Sequence, residues 1–307
     1  MKKEHKVIVR FAPSPTGPLH IGGARTALFN YIFTKQHGGS FILRIEDTDK
    51  ERSEKKYEED IFSGLKWLGI KPDDIYRQSE RTDIYQKHLT TLIKSGAAYV
   101  SREPKKITNT TTPPFGHPSS TEEGMIEVVR FKNPNKRVSF QDIVRGEVSF
   151  DTTELKDFVI AKSVSEPLYH LAVVVDDFEM GVTHIIRGED HISNTARQIL
   201  IQESIGAPRP AYAHLPLILA PDRSKLSKRK HGESVSLAHY RNAEIAPEAM
   251  VNFLALLGWH PSGDASEVLS WSDLLQHFSL ERVQKGGAML DSNKLNWLNK
   301  QYAKQPR

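Results

Sequence analysis

The chain has 307 residues with a net charge of +4, and its 38% hydrophobic and 26% charged residues are those of a globular protein long enough to build sizeable cores. It contains no cysteine, which excludes disulfides, a thiol nucleophile and thiolate zinc sites. No apolar run approaches the length of a membrane span, and the basic start MKKEHKVIVR lacks the apolar core of a signal peptide.

Residues 7–11 read as a strand and residues 24–33 as a helix, with APSPTGPLHIGG, residues 12–23, between them. Strand, small-residue turn and helix leave free backbone N–H groups facing an anion. Pro13 and Pro15 stiffen the turn, Gly17, Gly22 and Gly23 admit a ligand close to the main chain, and His20 is a compact donor. Taken alone, such a turn serves packing equally well. Residues 40–45 read as a second strand, ending in Glu46-Asp47-Thr48-Asp49 at the edge where open α/β sheets hold ligands. Residues 50–69 and 79–96 read as amphipathic helices.

From residue 97 the composition changes. Residues 108–121, rich in Thr, Pro and Ser, read as a loop, and strand-like runs follow at 127–132, 137–140, 146–151 and 158–161. Asp142-Ile143-Val144-Arg145-Gly146 reads as a turn or a phosphate contact. The α/β pattern resumes with the apolar run 169–175, read as a strand ending in Asp176-Asp177. A short strand at 184–187 ends in Gly188-Glu189-Asp190-His191, and Ser193 or Asn194 caps a helix running to Gly206. A strand at 215–219 feeds the lysine-rich loop Lys225-Leu226-Ser227-Lys228-Arg229-Lys230. After Ser236 strands are expected to stop, with helices at 247–257, 271–278 and 291–302. The expected fold is α/β: a doubly wound parallel, Rossmann-like sheet over 1–96 and 166–240, split by a β-rich insertion at 97–165 and followed by a helical region at 241–307.

With LHIGG and KLSKRK both present, the chain resembles the class I aminoacyl-tRNA synthetases, whose signatures are of His-Ile-Gly-His and Lys-Met-Ser-Lys-Ser type. APSPTGPLHIGGARTALFNY and RIEDTD resemble the bacterial glutamyl-tRNA synthetases in particular. The resemblance implies catalysis by His20, Lys225 and Lys228, with ATP held by His20, Gly22, Gly23, Asp190, Ser227 and Lys228. It carries glutamate recognition onto Arg10, Ala12, Ser14, Glu46, Tyr169 and Arg187. This set suits two carboxylates and one ammonium: each arginine can clamp a carboxylate through two parallel hydrogen bonds, and Glu46 can take the ammonium. Mg²⁺ is expected to arrive with ATP, and no zinc is expected. The implied partners are L-glutamate, ATP and the acceptor arm and stem of tRNA(Glu), in the cytoplasm, with no membrane.

The same resemblance assigns 97–165 to acceptor binding and 241–307 to stem contacts. Three features depart from the family. Val173 stands where some relatives have Asn, and Tyr99-Val100-Ser101-Arg102 keeps only a trace of a Cys-rich zinc segment. The family also continues into an anticodon-binding region, so a chain stopping at Arg307 is expected to be a fragment. Two alternatives stand beside this reading. One is the short paralogue that glutamylates queuosine on tRNA(Asp); the other is a non-catalytic tRNA-binding module, which would have no use for amino-acid ligands.

Overall fold

The computed structural model describes residues 6–104, 124–263 and 266–304, and omits the side chains of Lys228 and Arg229. The loop expected at 108–121 lies outside the described residues.

The first unit runs β1 (Ile8–Phe11), α1 (Ile21–Gln36), β2 (Ser40–Ile45), α2 (Lys55–Trp67), β3 (Asp74–Arg77) and α3 (Thr82–Lys94). β1 and β3 both lie parallel to β2. Phe41–Ile45 is buried throughout, as a parallel strand covered on both faces must be. In α1, Ile21, Ala24, Leu28 and Ile32 repeat at helical spacing and are fully buried. The helix starts where the His20 Nδ1 accepts the Gly23 amide at 3.0 Å, which satisfies one otherwise orphaned N–H of the first turn.

The insertion contributes β4 (Ala98–Pro104), β5 (Met125–Phe131), β6 (Arg137–Asp142), β7 (Gly146–Asp151), β8 (Phe158–Ser163) and β9 (Glu166–Pro167). β4, β5, β8 and β9 form an antiparallel sheet. The β6–β7 hairpin leaves that sheet. Its Asp142 end pairs with Tyr212 in the second α/β half, where the Ile143 amide donates to the Tyr212 carbonyl at 2.8 Å.

The remainder runs α4 (Tyr169–Glu179), β10 (His184–Gly188), α5 (Ile192–Ser204), β11 (Ala211–Leu215), β12 (Ile218–Leu219), α6 (Lys228–His231), α7 (Leu237–Asn242), α8 (Pro247–Leu256), α9 (Trp271–His277), β13 (Ala288–Met289) and α10 (Ser292–Ala303). β10 and β11 are parallel. The Thr183 amide donates to the Ile8 carbonyl, and its own carbonyl accepts from Ala211, both at 2.9 Å. The two parallel sheets therefore meet edge to edge in the order β3-β2-β1-β10-β11. The chain winds outward in both directions from the gap between β1 and β10. Such a switch point is where α/β sheets open a crevice.

Four sequence expectations change. Neither Ser193 nor Asn194 caps the helix running toward Gly206, because α5 already begins at Ile192 with His191 at its N-cap and no side-chain cap bond. Residues 169–175 are helix, because Leu171–Asp177 is buried on every side and an apolar run without periodicity does not tell a buried helix from a strand. The strand expected at 215–219 divides into β11 and β12 around Pro216. Strands do not stop at Ser236, since β13 pairs parallel with β12. The short strands β3 and β4 also escaped the sequence reading, because both are largely exposed and lack a clear alternation. Among the described residues no helix is long and apolar enough to cross a membrane.

Candidate active site

The carboxyl ends of β1 and β10 open into a cleft of about 600 Å³. Its remaining walls are the 12–23 loop, the start of α1 and the segment from Pro216 to Ser236. Twelve of the thirteen residues singled out from the sequence line it: Arg10, Ala12, Ser14, His20, Gly22, Gly23, Glu46, Tyr169, Arg187, Asp190, Lys225 and Ser227. The thirteenth, Lys228, opens α6 directly after Ser227, and its side chain lies outside the described set. Two motifs far apart in the chain therefore share one cleft. Of the four residues 46–49 only Glu46 faces it: Asp47 caps Ser79 at 2.8 and 2.6 Å, and Asp49 pairs with Arg52.

At the α1 end of the cleft, the His20 Nδ1 is occupied as an acceptor, so in the neutral ring Nε2 carries the proton and is free to donate. Its surroundings favour that neutral form. Desolvation lowers the pKa, Asp190 opposes, and Lys225 and Arg25 reinforce the lowering. A Cβ on Gly22 would sit 3.0 Å from the His20 Nδ1, so glycine there leaves room for the capping ring. The Lys225 Nζ lies 3.4 Å from an Asp190 carboxylate oxygen in a solvent-exposed pair, held loosely enough to turn toward a ligand.

At the other end lies a buried charge network that the sequence reading missed. Arg44, fully enclosed, donates to the Asp177 Oδ1 at 2.7 Å and to Glu46 at 3.2 Å, and Arg10 donates through Nε to the same Asp177 Oδ1 at 3.1 Å. Burial alone would lower the Arg44 pKa, but Asp177, Glu46 and Asp176 outweigh it and hold the cation firmly charged. Burial raises Glu46, offset only in part by Arg44 and Arg10. Asp176 accepts from Gln78, Arg81 and Tyr85 at 2.7–2.9 Å, which fixes the base of the network.

Arg187 differs from Arg10 in one respect: among the described residues no carboxylate forms an ion pair with it. Its Nε donates to the His214 Nε2 at 3.1 Å and its Nη2 to the Thr195 hydroxyl at 2.8 Å. Its Nη1 is buried with no hydrogen-bond partner among the described residues. Burial lowers its pKa, opposed by Tyr169. The Tyr169 hydroxyl bonds to the His191 Nδ1 at 3.2 Å and feels Glu46, Arg187 and Arg10 together. One anionic group and one incompletely satisfied cation thus border the same small volume, beside Arg10 already held by Asp177.

A parallel sheet with a glycine-containing loop opening a helix at its switch point and buried charged groups beside it is the layout of a nucleotide-dependent, Rossmann-like enzyme. Comparison with known proteins agrees. The family description "tRNA synthetases class I (E and Q), catalytic domain" matches residues 6–111 and 116–297, and the chain belongs to that family. It is 46% identical over 320 residues to the glutamate–tRNA ligase of Aquifex aeolicus and 48% identical over 327 residues to that of Carboxydothermus hydrogenoformans. These alignments cover 98% and 96% of this chain and 67% of each relative, so the chain spans about two thirds of their length. A crystal structure of the glutamate tRNA ligase from Elizabethkingia meningosepticum, in complex with its amino acid, is 37% identical with a TM-score of 0.84, covering 97% of this chain and 70% of that one.

Proposed function

We propose that this chain activates L-glutamate with ATP and transfers the glutamyl group to the 3′ end of tRNA(Glu), the reaction of a glutamate–tRNA ligase. The relatives' names favour it over the queuosine-modifying paralogue and over a binding module. The observation that carries substrate choice is the buried Nη1 of Arg187, without a hydrogen-bond partner among the described residues.

In the first step an α-carboxylate oxygen attacks the α-phosphorus of ATP, and the bond to pyrophosphate breaks. In the second a ribose hydroxyl of the terminal adenosine attacks the activated carbonyl, and AMP leaves. Neither step needs a protein nucleophile; both need alignment and neutralised phosphate charge. The His20 Nε2–H and the first turn of α1 face the phosphates, and Lys225, Ser227 and Lys228 follow the departing pyrophosphate from the opposite wall. Mg²⁺ enters as the counter-ion of ATP, and no resident zinc belongs to this reading.

The α-carboxylate loses its charge as it becomes the mixed anhydride. A buried cation paired to it would lose its partner during the reaction, so Arg187 is assigned the side-chain carboxylate, which stays charged throughout. Glu46 and Tyr169 take the ammonium, Ala12 and Ser14 line its approach, and Arg10 closes the set. Glutamine would turn an amide toward Arg187 and leave the cation unpaired, a mismatch that discriminates by about 10⁴-fold. Residues 97–165 guide the acceptor end toward His20 and residues 241–307 meet the stem, in the cytoplasm. The test is ATP–pyrophosphate exchange with L-glutamate, with and without tRNA. Glutamate-dependent exchange, lost through a raised KM in Arg187→Leu, supports the reading. An unchanged KM in both Arg187→Leu and Arg10→Leu would put the pocket elsewhere.

A further inference from the structure

Behind Arg187 lies a buried pair, His214 and Asp142, neither of which itself lines the cleft. The His214 side chain, fully buried on β11, faces Arg187 with Nε2 and Asp142 with Nδ1, at 3.1 and 2.6 Å. A guanidinium Nε only donates. The His214 Nε2 must therefore be the accepting nitrogen, and the ring proton sits on Nδ1, donated to the Asp142 carboxylate. Asp142 is itself fixed by the amides of Val144, Arg145 and His214 at 2.8–3.2 Å. Burial lowers the His214 pKa against the pull of the Asp142 hydrogen bond. Burial would raise Asp142, but the bonds from His214 and the Arg145 amide more than offset it. Both directions describe a neutral imidazole beside an ionised carboxylate.

Arg10 and Arg44 show the alternative, in which Asp177 touches the guanidinium directly and neutralises it. At Arg187 an imidazole is interposed. The ring holds the guanidinium plane in place, yet leaves the countercharge one ring away. We propose that His214, locked in one tautomer by Asp142, is a positioning residue that aims Arg187 while leaving its charge to be met by the substrate, and so sets the preference for glutamate over glutamine. The carboxylate of the substrate then supplies the direct countercharge; an amide does not.

This role rests on the reading of Arg187 as the receptor of the side-chain carboxylate. It is tested by ATP–pyrophosphate exchange with tRNA present in every arm, using His214→Leu and His214→Gln. Leucine removes the acceptor, whereas glutamine offers an oxygen near the position of Nε2. In His214→Leu the KM for glutamate should rise about tenfold or more, the size of a lost hydrogen bond to a charged group. The KM for ATP should not change, and the glutamate-over-glutamine ratio of kcat/KM should fall in step. His214→Gln should recover most of both. Equal behaviour of the two variants, or a loss shared by the KM values for glutamate and ATP, would overturn the proposal. Nitrogen NMR of the ligand-free parent chain decides the tautomer independently: an unprotonated Nε2 and a protonated Nδ1 support it, and the reverse refutes it. A parent chain without glutamate-dependent exchange would sink the substrate reading, while the NMR result would still judge the positioning of Arg187.

Discussion

Ser236 forms an antiparallel bridge with His20, and the next amide, Leu237, donates to the Leu19 carbonyl at 2.8 Å. The chain leaving the lysine-rich loop is thus stitched to the strand-like residue that caps α1. The 12–23 loop and the lysine-rich loop, proposed above to face the phosphates, are anchored to one short stretch of backbone, so the gap they share is set by those hydrogen bonds.

Removing the His20 imidazole should cost rate more than affinity. His20→Ala and Lys228→Ala are each expected to lower turnover in glutamate activation by about 10²–10³-fold with little change in the glutamate KM, as for groups acting on transition-state charge. Gly22→Ala should mimic His20→Ala in part, because its methyl would press on the His20 ring at 3.0 Å. Parental turnover with only weakened glutamate binding would mean that these residues do not serve the phosphate.

The buried network predicts a stability effect. Arg44→Leu would leave Glu46 without its hydrogen-bonded cation and Asp177 with Arg10 alone, and breaking such a buried pair costs about 3–5 kcal/mol. Urea denaturation should show that loss, together with a raised glutamate KM because Glu46 would lose its orientation. A variant as stable as the parent would mean that the network is not coupled as the distances imply.

Acid should destabilise the chain before its carboxylates titrate. Burial pushes His170 and His191 down to about 4 from an ordinary 6.5, helped by Arg197 and Arg187 respectively. Between those values the unfolded chain binds protons that the native chain refuses, so stability rises with pH across that window. It is complete above about pH 6.5 and is lost progressively as pH falls toward about 4. The thermal midpoint should therefore drop across this range, and the double variant His170→Gln, His191→Gln should flatten the slope. An unchanged slope in that variant would assign the effect to other groups.

Much of the cleft was legible because its chemistry is local. LHIGG carries the strand-turn-helix layout in adjacent residues, and a lysine-rich loop names its own charge. Arg10, Glu46 and Arg187 stand at or beside strand ends that the sequence pattern locates, but their assignment to the site came from the family resemblance. What escaped were groups whose meaning depends on residues far away. Arg44 read as one position in a strand, and Asp176-Asp177 as the close of an apolar run. His214 carried no signal at all, since its partners Asp142 and Arg187 come from the insertion and from another strand. Residues 169–175 misled for a related reason: helical periodicity shows only when one face meets water, and that helix has no such face.

The core extends this argument to the helical region. A single apolar cluster runs from Val9 and Phe41 through α1 to Met250, Phe253, Leu254, Trp259 and Leu298. The Arg25 guanidinium, burial-lowered to about 10, reaches from α1 to the carbonyls of Leu257 and Pro216. The helices after residue 241 are therefore not an appendage hung from a finished catalytic unit. They form the far wall of the layer that α1 fills. A version trimmed at that boundary would expose the back of the very helix whose first turn lines the cleft, and it would be an unfinished enzyme rather than a smaller one.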